Sequence, residues 1–126
     1  MNLETLTPDR AELWKRLFGQ TSPALLKSFK AFHAENLHIY RAFAAKAKAA
    51  KASGRAKYSH WVIINVMRWE HDMQTTGVEF RISNDHIALY ARLFVWRNPE
   101  FEGFFDLKQM NPNRAAKMNT ELKEAA

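Results

Sequence analysis

Apolar residues recur at helical spacing in five stretches of this chain, with turn signals between them. Leu13, Trp14, Leu17 and Phe18 form the first stripe; Thr7 and Pro8, an N-cap followed by proline at the first helical position, introduce it, and Gly19 suits its stop. Ser22 and Pro23 repeat the start signal ahead of Leu25, Leu26, Phe29 and Phe32. Asn36 reads as the cap of a third helix, with a bend in front of it. That helix runs from about Leu37 to Ser53, with Ile39, Phe43 and Ala50 on one face and Arg41, Ala44, Lys48 and Lys51 roughly opposite; Gly54 closes it. Ser59 caps a fourth helix of about 16 residues. Its strongest stripe is Val62, Val66, Trp69 and Met73, at steps of four, three and four; Ile63 and Met67 widen that face and Gly77 supplies a left-handed stop.

The period then changes. Val78, Phe80 and Ile82 alternate with Glu79, Arg81 and Ser83, which predicts an extended segment over residues 78–82. A lone strand cannot satisfy its own backbone, so this one pairs with another strand, pairs with another chain, or is an extended loop. Ser83 or Asn84 caps a fifth helix carrying Ile87, Leu89, Tyr90, Leu93, Phe94 and Trp96, apolar nearly all round and therefore central. Pro99 ends it, and Phe101, Phe104 and Phe105 fold back over the core. The whole pattern predicts a mainly α protein: a compact bundle of about five helices with one short extended segment, residues 78–82, before the last core helix. Residues 1–107 make one helical domain, and residues 108–126, poor in large apolar side chains, make a mobile or weakly helical tail.

Composition narrows the function classes. The 126 residues are 47% hydrophobic and 13% aromatic, enough for a packed core, and contain no cysteine, which excludes disulfides and thiolate metal sites and suits a reducing cytoplasm. The N-terminus lacks the apolar core of a signal peptide, and no apolar run approaches the roughly 20 residues that cross a bilayer. A cytoplasmic protein with no membrane partner is expected. Net charge is +6, and its placement says more than its size. From Asn36 to Trp69 stand Arg41, Lys46, Lys48, Lys51, Arg55, Lys57 and Arg68 with no acid, while the remaining residues hold 12 basic and 13 acidic side chains. The entire excess sits in one central segment, a field suited to polyanions.

Chemical signatures are absent: no Gly-rich phosphate loop, zinc helix, EF-hand spacing or nucleophile elbow. No cofactor, metal site or catalytic residue is expected. His33 and His38 are five apart and do not share a helical face, and His60 and His71 are three turns apart. An enzyme reading, a small metal-independent nuclease using His60 or His71 with Arg68, ranks third. A helix-turn-helix reading, with His86, Tyr90 and Arg97 on one line of the fifth helix, is disfavoured by the six-residue link and by that helix's apolar girth. The basic segment is the stronger candidate. Arg41, Lys48 and Lys51 line one side of a helix, Arg55 and Lys57 extend the field into a loop, and Ser59 opens a helix whose free N–H groups favour phosphate. Tyr58 and Trp61 flank that loop, placed to stack on bases.

The stretches FHAENLHIYRAF and VMRWEHDMQTTGVEFRISNDHIALYARLFVWRNPEFEGFF resemble a family of small proteins encoded by phages and prophages. Its pattern is Phe-His-x-x-Asn-Pro-x-Val-Tyr, a basic loop, a Trp-bearing helix, Phe-x-Ile-Asn-Asn-Asn, Tyr-Ala-Arg-Leu, then Pro and Gly-Phe-Phe, matched in order from Phe32 to Phe105. Leu37 replaces the expected proline, and Ser83-Asn84-Asp85 replaces the asparagine run. The resemblance implies a phage or prophage accessory protein acting inside a bacterial host cell, and carries no catalytic assignment. The first functional expectation is a non-enzymatic protein binding DNA or RNA through residues 41–61. The alternative is a protein–protein interaction module, an inhibitor of a host or defence protein or an assembly factor, possible also as a homo-oligomer. Four tryptophans and nine phenylalanines exceed what one small core readily hides, and any surplus makes an apolar patch.

Overall fold

In the computed structural model, which describes residues 7–108, the five stretches are helices: α1 (Pro8–Phe18), α2 (Pro23–Glu35), α3 (Leu37–Ala52), α4 (His60–Gln74) and α5 (Asn84–Arg97), followed by a 3-10 turn at Pro99–Phe101. Four begin at side-chain caps. Thr7, Ser22, Ser59 and Ser83 each accept a hydrogen bond from the backbone N–H three residues on, and prolines open α1 and α2.

Asn36 does something different from the expected cap. Its side chain makes no bond to α3; its amide turns back and donates to the Phe32 carbonyl at 2.8 Å, so Asn36 closes α2. The bend is there, produced by Asn36 at φ −132° and ψ 44°, which breaks the helical run between Glu35 and Leu37. Gly77 is left-handed at φ 75°, but α4 has already ended at Thr75, whose hydroxyl donates to the His71 carbonyl at 2.8 Å.

Helix α5 is the centre. Every residue from Leu89 to Trp96 is buried, and the helix packs on α1, α2, α4 and the 3-10 turn. Phe94 is fully enclosed, with the rings of Phe43, Phe101 and Phe105 against it at centroid distances of 6.1, 4.7 and 6.0 Å. Phe101, Phe104 and Phe105 are buried, as the FEGFF stretch implied. Helix α3 packs between α2 and α4. Residues 78–82 are extended but, among the described residues, pair with no strand: Phe80 and Ile82 lean on the core, Val78 points out, and Glu79 and Arg81 pair at 2.7 Å. The segment is an extended loop. The tail expected at residues 108–126 lies, apart from Lys108, outside the described residues.

Candidate nucleic-acid interface

The basic segment folds onto the outer side of α3 and the loop that follows. Arg41 and Lys48, seven residues apart and so on nearly one line, run about 10 Å along the exposed ridge of α3. Arg55 and Lys57 continue the exposed surface across the loop to α4. Ion pairs among the described residues are Arg16–Glu102, Lys46–Glu70 and Arg81–Glu79, so none of them takes Arg41, Lys48, Arg55 or Lys57.

The other cations of the segment are engaged. Lys46 lies on the α4 side of α3 and reaches Glu70 at 2.9 Å. Lys51, on the opposite flank, donates to the Glu100 carbonyl at 3.1 Å with its ammonium 4.3 Å from the centre of the Phe101 ring. It fastens α3 to the 3-10 turn. Arg68 donates to Asn65 at 3.2 Å and lines an open cleft of about 600 Å³ with Phe32, Phe80, Arg81 and His86, away from the α3 ridge.

The loop residues divide in the same way. Ser59 spends its hydroxyl on the Val62 N–H at 3.4 Å, a bond open to solvent, and the next residue, His60, is buried. Tyr58 is half-buried; its N–H donates to the Phe104 carbonyl at 3.0 Å and the Arg55 guanidinium sits 5.6 Å from its ring centre. Trp61 is exposed beside the loop and leans on the His60 ring at 5.1 Å. Of the eight expected contact residues, Arg41, Lys48, Arg55, Lys57 and Trp61 remain available, while Lys51, Tyr58 and Ser59 serve the fold.

Comparison with protein-family models, curated proteins and solved structures gave no match.

Two features escaped the sequence reading. The first is the histidine placement. His33 and His86, far apart in sequence, both pack on Phe29 and beside Tyr90: His86 Nε2 lies 3.1 Å from the Ser28 hydroxyl, and His33 Nδ1 lies 3.4 Å from the Tyr90 hydroxyl. His86, Tyr90 and Arg97 do share a line of α5, but it faces α2 and α3, with Arg97 over the Tyr40 ring at 4.7 Å. Burial pushes the Tyr90 hydroxyl up to about 12. His71 donates to the Val78 carbonyl at 3.0 Å, and His60 is sealed against Phe105, so neither is hydrogen-bonded to Arg68. Among the described residues no three His, Asp or Glu side chains gather as a metal site.

Burial lowers the pKa of His33, His60 and His86; Arg97 adds to this at His33 and Arg92 at His60, while Asp85 and Asp106 partly oppose it at His86 and His60. The folded state therefore disfavours protonation. Above the ordinary value of 6.5 the histidines are neutral in both states and cost nothing; as pH falls through 6.5 the unfolded chain takes up protons that the folded chain refuses. Each such histidine contributes at most about 1.4 kcal/mol per pH unit, and solvent at the ring edges lowers that, so stability is expected to fall between pH 7.5 and 5.5. Urea unfolding at the two pH values measures it, and exchange of His60 and His86 for glutamine flattens the slope.

The second feature is Arg92, a buried cation in the middle of α5. It is 5% exposed and donates to the Ala88 carbonyl at 2.9 Å and to the Lys108 carbonyl. The only sequence signal was an arginine inside the apolar run from Ile87 to Trp96.

Proposed function

We propose that this chain is a non-enzymatic nucleic-acid-binding protein whose contact surface is the α3 ridge and the loop after it, with Arg41, Lys48, Arg55 and Lys57 on phosphates and Trp61 on a base. The observation that supports this reading best is that four cations of the acid-free segment stay exposed, with no described carboxylate near enough to pair. A surface of this kind binds the backbone irrespective of sequence. Exposed Trp61 at the end of the ridge favours a single strand, whose bases are open to stacking. The resemblance of residues Phe32 to Phe105 to phage and prophage proteins supports a role in a bacterial host cell.

Fluorescence anisotropy with a labelled single-stranded oligonucleotide tests it. Four phosphate contacts give a slope of about −3 for log affinity against log salt. Charge reversal at Lys48, Arg55 and Lys57 is expected to lower affinity at least about tenfold and flatten that slope. Binding that is absent at low salt, or that survives the reversal unchanged, removes the proposal.

A second reading, a protein-interaction module, draws on another observation. The core hides the phenylalanines well, and the surplus falls on α4: Trp61, Val62, Val66, Trp69 and Met73 are all exposed.

A further inference from the structure

Helix α4 has two apolar faces, and the fold uses the weaker one. Ile63, Ile64 and Met67 are buried with His60 against the rest of the bundle. The stripe with the stronger sequence pattern is turned outward: Val62 is 42% exposed, Val66 41%, Trp69 62% and Met73 63%. These four positions advance by four, three and four residues, so they stay in line along about 16 Å of helix.

That spacing is the alternating seam by which one helix packs into another, each side chain entering a hole on the facing helix. A seam of this kind is complementary to a copy of itself, which is what a twofold contact requires. Its flanks suit a copy too. Arg68 and Asp72 stand on one side and the Lys46–Glu70 pair on the other, so neither flank is a block of like charge. A lipid surface is a poorer fit, because an interfacial helix carries several lysines or arginines and Arg68 is the only one on α4. The four side chains expose on the order of 400 Å² per protomer, so a symmetric pair covers about 800 Å² of them and reaches about 1,000 Å², the lower bound for a specific interface, once the polar flanks are counted.

We infer that the exposed face of α4 is the interface of a homodimer, in which the Val62, Val66, Trp69 and Met73 stripes of two chains pack against each other. This rests on the interaction reading, gives it a second copy of the chain as partner, and is independent of nucleic-acid binding.

Sedimentation of nuclease-treated full-length protein over a concentration series, at 0.1 M and at about 1 M salt, reads it directly; apolar association persists in high salt, where bridging by residual polyanion is screened away. The wild-type chain is expected to dimerise at both salts, and Trp69→Lys to weaken the dimer at least about 30-fold, as loss of a central tryptophan does. Because Trp69 is largely exposed, the variant keeps its circular dichroism spectrum, and Val66→Glu serves as an independent second variant. A wild-type chain that stays monomeric across the series, or a dimer that survives both substitutions, overturns the inference. A monomer that still binds oligonucleotide removes the dimer and leaves the basic surface standing.

Discussion

Phe94→Ala is expected to cost about 3–5 kcal/mol. Phe94 is fully buried on the central helix and holds three other rings, Phe43 from α3 and Phe101 and Phe105 from the turn after α5. Removing it leaves a void that none of these neighbours can fill, because each is fixed by another contact: Phe105 touches Phe43, His60 and Phe104, and Phe101 carries the Lys51 ammonium. A chain of this size has a total stability of about 5–15 kcal/mol, so the variant stands near the edge of folding. Its melting temperature is expected to fall by about 10–25 °C. Calorimetry at low protein concentration, where self-association cannot add to the reading, is the measurement. A fall of only one or two degrees would mean that α5 is not the centre of the core.

That centrality was legible in the sequence, and the reason is instructive. A helix apolar on all sides has one home, whatever its neighbours, so Ile87 to Trp96 could be placed without knowing what covers them. The starts of α1, α2, α4 and α5 were legible for a related reason: a serine or threonine cap acts on its own backbone three residues away. Helix α4 was not legible in the same way. It offers two candidate faces, and which one turns inward depends on contacts remote in sequence, such as Lys46 with Glu70 and His60 with Phe105. The hydrophobic period gave the helix correctly and could not give its rotation.

The basic surface divides along the same boundary. Its location was written in the acid-free run from Asn36 to Trp69, because that is a count along the chain. Which cations stay available was not, since Lys46 finds Glu70 and Lys51 finds the Glu100 carbonyl only once α4 and the 3-10 turn have packed beside α3. Asn36 repeats the lesson at short range. An asparagine between two helices can serve either end, and here its amide bonds backward to Phe32.

Arg92 carries the second large effect, and two substitutions separate its parts. The side chain lies 5% exposed with no described carboxylate partner, and burial lowers its pKa, the sign of a cation held where water is scarce. Its contributions are the volume it fills and the carbonyls of Ala88 and Lys108 that it satisfies. Arg92→Ala removes all of these and is expected to destabilise by about 2–4 kcal/mol in urea unfolding. Arg92→Met keeps most of the volume and discards the uncompensated charge. It is expected to stay within about 1 kcal/mol of wild type, as buried ionic groups replaced by well-packed apolar ones often do. The methionine variant should still differ locally. Without the guanidinium the Lys108 carbonyl loses its donor, so amide exchange should quicken from Asp106 to Lys108. Burial still holds the His60 pKa down, but the positive neighbour that adds to it is gone, so the acid loss between pH 7.5 and 5.5 should shrink in part. If Arg92→Met were as damaging as Arg92→Ala, the charge itself would be the stabilising element, and an anion not among the described side chains would have to be sought beside it.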